Sequence, residues 1–487
     1  MVAVTEGIGT EGGTNMRAGN GRRRGPGFRL GVTAAALLLV AGACSSDRSG
    51  DDPGDGDETT SAELPSDTFG DLESPCGDGD ASGATDQGVT DDSITIGYGD
   101  DSGYANAPGL NEEMGDAMDA MIEWCNSVGG INGREIVGHR YDAALDNASQ
   151  VIVQSCAQDF MLVGQGFAGD EDIEADRIAC QLPMVPGFTL SSSANNAPMS
   201  YAPLPFPVDR LSIARAELTL ETYPEATTFD FIGHDSPFTQ LGEKRTLAVF
   251  NAAGAEQAGC GVVLKSAGGD NYRALVQRYQ ECGATVLYDN GTPTPATFSF
   301  LDAMRVEGYE PTILTDATWY ADTVRSANVG GLTEGINVTM QFQPFENEDA
   351  VPAVADYLAV MGQNDNYATG LLGMQSTSAF LLWATAAKAC GSELTRQCMV
   401  NELSQVTTWT GGGLHAEANP GGNEPPRCSL LMKLKGGTYE QVAPATKGEF
   451  YCADSALETP ESFWGVELNE DRIATTYLTD DIITPEG

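Results

Sequence analysis

From Ser93 onward the chain alternates short apolar runs of period two with longer runs of helical period, and that alternation leaves few folds open. In "SITIGYGDDSGY", Ile94, Ile96 and Tyr98 alternate as strand side chains do, and Gly97, Gly99 and Gly103 break the run into a loop. Leu110, Met114, Ala117, Met118, Met121 and Ile122 then recur at helical spacing with acids opposite, and Gly129-Gly130 supplies a left-handed stop. Asn132-Gly133 makes a tight turn, Glu135 to Tyr141 reads as a second strand, and Asp146 caps a helix over Asn147 to Gln158. "FMLVGQG", "DEDIEADRIACQL" and "PMVPGF" continue as strand, helix and strand. Strict alternation predicts a parallel sheet with helices on both faces.

A second series opens after the proline-rich "YAPLPFPVD". Its strands are "TFDFIGH", "CGVVLKS", "GATVLYDN" and "PTILTDA", separated by helix-like segments at 240–257, 271–281 and 297–307. The apolar helix "GLLGMQSTSAFLLWATAAKAC" follows, and the hairpin-like "CSLLMKLKGGTYEQVA" closes the series. A chain of 487 residues exceeds what one hydrophobic core usually supports, so two α/β lobes are expected.

The N-terminus is built in the order of an export signal. Arg17, Arg22, Arg23, Arg24 and Arg29 precede an apolar run from Leu30 to Ala43 that is 14 residues long. Crossing a bilayer as a helix takes about 20 residues, so this run reads as a cleaved signal rather than a permanent span. Ala41-Gly42-Ala43 before Cys44 resembles a bacterial lipobox, in which Cys44 is acylated and becomes the new N-terminus. The ten remaining cysteines form an even number in an oxidising compartment, which points to disulfides rather than metal or catalytic thiols. Residues 1–43 are therefore expected to be a lipoprotein signal peptide. Residues 44–92 carry almost no large apolar side chains and are expected to be a disordered acidic tether. With 25 Lys+Arg against 70 Asp+Glu, the net charge of -45 repels polyphosphate and makes nucleic acid an unsuitable partner.

"GGINGREI" at 129–136, "MVPGFT" at 184–189, "HDSPFTQLGEK" at 234–244, "INVTMQF" at 336–342 and the glycine-turned hairpin occur in one order. In these motifs the chain resembles the leucine/isoleucine/valine-binding proteins of ABC transporters from Ser93 to Ala443. The resemblance implies an α/β type I periplasmic-binding fold, two Rossmann-like lobes with parallel sheets joined by a three-segment hinge. Lobe 1 would comprise 93–205 and 339–412, and lobe 2 would comprise 206–338 and 413–454, followed by an acidic C-terminal segment at 455–487. The crossings would fall near Pro203–Val208, Val338–Phe345 and Gly411–Pro426. That fold also suggests the cysteine pairs Cys156 with Cys180, Cys260 with Cys282, Cys390 with Cys398, Cys428 with Cys452, and Cys76 with Cys125. It further implies a monomeric lipoprotein that captures a small organic solute, such as an amino acid or an amide, and delivers it to a membrane permease, with no cofactor.

Enzyme signatures are sparse. His139, His234 and His415 form no metal-ligand spacing, His139 reads as an exposed strand residue, and neither a Gly-x-Ser-x-Gly elbow nor His-Glu-x-x-His occurs. Gly164-Gln165-Gly166-Phe167-Ala168-Gly169 matches G-x-G-x-x-G, but it follows the third strand rather than the first. Asp170, Glu171 and Asp172 also crowd the helix start where pyrophosphate would sit. Ligands of open α/β sheets bind beyond the strands' carboxyl ends. The candidates there are Asp101, Ser102, Gly166, Phe167, Thr189 and Ser191 in lobe 1, and Ser236, Phe238, Asn290, Thr292, Asp316 and Trp319 in lobe 2. The resemblance assigns Thr189 to a ligand carboxylate and Asp316 to an ammonium. It also shows Gln165-Gly166-Phe167-Ala168 where relatives carry a serine pair, so the ligand need not be zwitterionic. A solute sensor signalling to a membrane partner and an extracytoplasmic hydrolase are the alternative functions.

Overall fold

The computed structural model describes residues 64–486 except 106, 236, 266–267 and 460–463. The expected signal peptide, Cys44 and the first part of the expected tether lie outside the described residues. Lobe 1 opens with β1 (Ser93–Asp100), α1 (Glu112–Ser127), β2 (Glu135–Asp142), α2 (Ala148–Gln158), β3 (Met161–Val163), α3 (Glu171–Ala179) and β4 (Met184–Val185). These strands form one parallel sheet in the order β2-β1-β3-β4, with Ser93 beside Glu135 and Asp100 beside Asp142. The α1 stripe of Met114, Ala117, Met118 and Met121 is buried, and Gly129, Gly130 and Gly133 turn the chain into β2 at φ of 116°, 71° and 87°.

Lobe 2 is built from α4 (Ala214–Thr222), β5 (Thr228–Phe231), α5 (Pro237–Ala252), α6 (Tyr272–Cys282), β6 (Val286–Asp289), α7 (Pro295–Glu307), β7 (Thr312–Thr315) and β8 (Asn337–Met340). Its sheet runs β5-β6-β7-β8 in parallel, with the short strand Glu256–Gln257 on the β5 edge. The helix expected at 240–257 spans 237–252 instead, because Gly254 takes a φ of 97° and releases Glu256 into that edge strand. After β8 the chain returns to lobe 1 as α8 (Pro352–Met361), α9 (Leu371–Cys390) and α10 (Arg396–Ser404), with α9 buried along most of its length against α1. It re-enters lobe 2 as β9 (Cys428–Lys435), antiparallel to β8, and β10 (Thr438–Ala443), antiparallel to β9. The sheet of lobe 2 is therefore mixed. The second crossing begins after Met340, so Thr339 and Met340 belong to the lobe 2 sheet rather than to lobe 1.

Five disulfides join Cys76–Cys125, Cys156–Cys180, Cys260–Cys282, Cys390–Cys398 and Cys428–Cys452. Among the described residues, no helix is long and apolar enough to cross a membrane.

One terminal stretch departs from expectation. The chain from Leu64 to Asp92 is folded onto lobe 1 rather than forming part of a tether. Trp124 Nε1 donates to the Pro65 carbonyl at 2.7 Å, Phe69 is wholly buried with its ring 5.7 Å from that of Trp124, and Asp71 N donates to Gly412 O. A few apolar side chains in an otherwise solvated stretch suffice when a neighbouring lobe supplies their pockets and a disulfide holds the end. The acidic segment after Ala453 is folded as well. Leu457–Glu458 pairs with Arg210–Leu211, Trp464, Val466 and Ala474 enter the lobe 2 core, and Gln181 Nε2 of lobe 1 donates to Asp481 O.

Candidate functional site

The carboxyl ends of the lobe 1 strands are held by two buried acids. Asp101 is wholly buried after β1, and its carboxylate accepts from the amides of Leu145 and Ala168, each at 2.7 Å. Burial raises its pKa, and both oxygens serve to join three loops, so Asp101 positions the site rather than reaching for a ligand. Asp170 accepts from the amides of Leu190 at 2.5 Å and Ser191 at 3.1 Å, and burial pushes its pKa up to about 6. It thereby fixes the loop after β4. In that loop Thr189 donates to Asn195 Oδ1 at 2.7 Å, and Ser191 Oγ caps the short helix Ser192–Asn195. Ser102 stays half-exposed, its amide on Asp100 Oδ1.

A Cβ at Gly166 would meet Met114 Sδ at 2.2 Å and the Phe188 ring at 2.5 Å, so a larger residue there would have to displace both side chains. Phe167, expected to line the ligand, packs instead into a core cluster with Tyr141, Ile173 and Leu182 and is 2 % exposed. The structure leaves Gln165, two residues earlier, as the polar group at that strand end. Its Oε1 is buried without a hydrogen-bond partner, and its Nε2 contacts Met184 Sδ at 3.4 Å.

In lobe 2, Ser236 and the Phe238 side chain lie outside the described residues. Trp319 is wholly buried, with Nε1 donating to Gly291 O at 2.9 Å and its ring 6.3 Å from that of Phe298. The short turn Ala317–Trp319 thus places the indole against the loop after β6. Asp316 caps that turn through Thr318 N at 3.0 Å and Thr318 Oγ1 at 2.7 Å, and burial raises its pKa. Asn290 donates from Nδ2 to Asp316 Oδ2 at 3.4 Å while its Oδ1 is buried and unpartnered. Thr292 is exposed beyond it. His234 Nε2 hydrogen-bonds Asp289 Oδ1 at 2.9 Å; burial alone would lower the imidazole pKa, but the carboxylate outweighs it and the net shift is upward.

Several groups outside the expected set converge here. Asp289 Oδ2, Glu243 Oε1 and the Nε and Nη2 of Arg245 are buried with no hydrogen-bond partner. Glu243 closes the quoted "HDSPFTQLGEK" motif with Lys244, and Arg245 follows it directly on α5, so charges inside a helix that opens at a strand end were the available signal. Arg215 had no local signal. It reaches this region from α4, donating to Thr246 Oγ1 at 2.9 Å.

Among the described residues, none of the three histidines belongs to a cluster that could hold a metal ion. His139 is half-buried rather than exposed, with Nδ1 2.6 Å from Asp159 Oδ1, and His415 Nε2 lies 2.8 Å from Ser378 Oγ. Burial drives the His415 pKa down to about 4. Asp230, Cys260 and Cys282 approach one another, but the two sulfurs are joined as a disulfide and offer no thiolate. The G-x-G-x-x-G stretch is followed by Asp170, and α3 continues with Glu171, Asp172 and Glu174 in its first turn, a set that repels pyrophosphate. An open depression of ≈ 500 Å³ lies elsewhere, lined by residues such as Gly70, Val351, Gly412, His415 and Phe450, with none of the strand-end groups.

Comparison with known proteins agrees with this architecture. The family model described as periplasmic binding protein matches residues 93–438. No curated protein sequence matches the chain. Among solved structures, the chain is similar to an ABC transporter substrate-binding protein from Desulfitobacterium hafniense in complex with Leu, at 15 % identity and a TM-score of 0.52, over 72 % of this chain and 100 % of that one. It is similar to a solute-binding protein of an ABC transporter from R. palustris in complex with benzoate, at 11 % identity and a TM-score of 0.59, over 75 % and 98 %. It also resembles a fatty acid ABC transporter substrate-binding protein from Thermomonospora curvata, at 14 % identity and a TM-score of 0.56, over 80 % and 97 %. At these identities the likeness is one of fold.

Proposed function

The chain belongs to the periplasmic binding protein family, and from that membership we propose that it captures a small organic solute between its lobes and hands it to an ABC permease. Membership carries an extracytoplasmic location. The observation that supports capture is a set of buried, unpartnered polar atoms, at strand ends in Gln165 Oε1, Asp289 Oδ2 and Asn290 Oδ1, and on α5 in Glu243 Oε1 and Arg245 Nε and Nη2. Each such atom costs about 1–3 kcal/mol when left without a partner, a cost that a bound solute can offset. Closure of the lobes would then exclude water and strengthen these few contacts. Binding and release require no covalent step.

The names of the neighbouring structures suggest the panel for the test: leucine, other amino acids and their amides, benzoates and fatty acids. At a hundredfold excess over Kd, a true ligand stabilises the folded state by about 2.7 kcal/mol, which thermal unfolding resolves. Native mass spectrometry should recover that ligand chemically unchanged, whereas a hydrolase would return products. If no member of the panel raises the Tm, the capture reading falls.

Anchoring rests on the lipobox-like stretch before Cys44. We expect metabolic palmitate labelling and globomycin-sensitive processing of the wild-type chain, both lost in Cys44→Ala. Labelling that persisted in the variant would remove the anchor and leave the two-lobed fold untouched. A lone acyl chain binds membranes marginally, so stable anchoring needs the two or more chains that such a cysteine carries.

A further inference from the structure

We propose that the solute is an organic carboxylate with an apolar body, and that Arg245, with Arg215 beside it, receives the carboxylate. This deepens the solute-binding reading and rests on it. The chain has 70 acidic residues against 25 Lys and Arg, so an arginine here is surrounded by candidate partners. Most are used: Arg140, Arg177, Arg325 and Arg472, for example, all pair with carboxylates. Among the described residues, neither Arg245 nor Arg215 has an acid at ion-pair distance. Arg215 still donates to Thr246 Oγ1, whereas Nε and Nη2 of Arg245 are buried with no hydrogen-bond partner.

The unpartnered nitrogens are the informative ones. Nε and Nη2 make up the side-on edge of a guanidinium, the edge whose two parallel N–H bonds match the two oxygens of a carboxylate. Both atoms are shielded from solvent. The plane of the group is held by aromatic rings, with Trp464 5.5 Å and Phe206 5.9 Å from Cζ. Lys244 lies over the same indole at 5.1 Å, which adds a third positive charge to the neighbourhood. Burial, and then the charge of Arg215, lowers the Arg245 pKa to about 10, which still leaves it cationic at neutral pH.

One acid is near enough for Arg245 to feel, Asp170 of lobe 1, but its oxygens already accept from the Leu190 and Ser191 amides, while Arg215 feels Asp316, whose carboxylate already accepts from Thr318 N and Oγ1. A buried cation beside a second cation, with its bidentate edge unused, is held at a cost in desolvation and repulsion that an entering anion recovers. Phe206 is 42 % exposed next to it, an apolar surface suited to a ring or alkyl chain. Carboxylate and body would thus be read by adjacent groups on the first crossing and α5.

The experiment compares acids with their own amides on the purified protein: benzoate with benzamide, octanoate with octanamide, and leucine with leucinamide, by isothermal titration. The expected result is that at least one acid binds tenfold or more tighter than its amide. Arg245→Gln should lose at least tenfold in affinity for that acid while changing the amide less than twofold, and Arg245→Lys, which keeps the charge but not the fork, should fall between. The Tm of unliganded Arg245→Gln should equal or exceed that of the wild type, because the substitution removes an unpaired buried charge. An amide that binds as tightly as its acid, or an Arg245→Gln variant that keeps acid affinity, overturns this inference and leaves solute capture standing. Because the acid–amide comparison is made on the wild-type chain, it holds even if a variant fails to fold. Binding by neither acids, amides nor the wider panel overturns both readings together.

Discussion

Replacing Arg177 by Met is expected to cost lobe 1 about 3–5 kcal/mol of unfolding free energy, the range for breaking a fully buried ion pair from one side. Arg177 and Glu174 are both wholly buried on α3, with Nη2 2.7 Å from Oε2 and Nε 3.2 Å from each carboxylate oxygen. The remaining donors serve the carbonyls of Leu182 at 2.9 Å and Pro198 at 2.8 Å, which tie α3 to the chain on either side of β4. Met would fill part of the volume, yet it would strand the Glu174 charge and two carbonyls without donors. Chemical denaturation should show a lower midpoint with an unchanged slope. The double variant Arg177→Met with Glu174→Gln should recover part of the loss, because it removes the orphaned charge. A loss below about 1 kcal/mol in the single variant would mean that the pair is solvated in solution.

Truncation after Asp454 should have a larger effect still. The removed segment pairs Leu457–Glu458 with Arg210–Leu211 and places Trp464 and Val466 among Val208, Phe229 and Phe250. Deleting a buried Trp side chain alone costs about 3–5 kcal/mol, so losing the whole segment should exceed that. The segment also spans the hinge. Arg472 binds Asp209 of the first crossing at 2.6 Å and the Gly422 carbonyl of the third at 2.8 Å. Ala474 N donates to Asn196 O of lobe 1, and farther on Gln397 Nε2 donates to Thr484 O at 2.8 Å. Calorimetry should therefore show a fall in Tm of about 5–10 °C, and paired spin labels on the two lobes should show a broader distance distribution. A truncated protein with wild-type Tm and distances would mean the segment is an appendage.

The two-lobed α/β order was legible because it is written in local patterns. Ile94, Ile96 and Tyr98 alternate, Met114 to Ile122 repeat at helical spacing, and the glycines at 129, 130 and 133 occupy backbone angles that few other residues tolerate. The aromatic candidates were less legible. A phenylalanine or tryptophan at a strand end can face a cleft or turn beneath the loop, and both rotamers fit the same local sequence. Packing decided for the core at Phe167 and Trp319.

The acidic ends show the same limit from another side. Composition averaged over 44–92 predicts a chain too polar to fold, which holds for a segment that must supply its own core. Phe69 and Trp464 need no core of their own, because lobe 1 and lobe 2 offer them one. The sequence by itself determined the order of strands and helices, the turns between them and the acidic balance, since these depend on residues within a few positions of one another. Only the tertiary structure decided which aromatics are buried, that the C-terminal segment straps the hinge, and that Arg245 stands without an acid. Those are contacts, or missing contacts, between residues up to hundreds of positions apart, and no local periodicity records them.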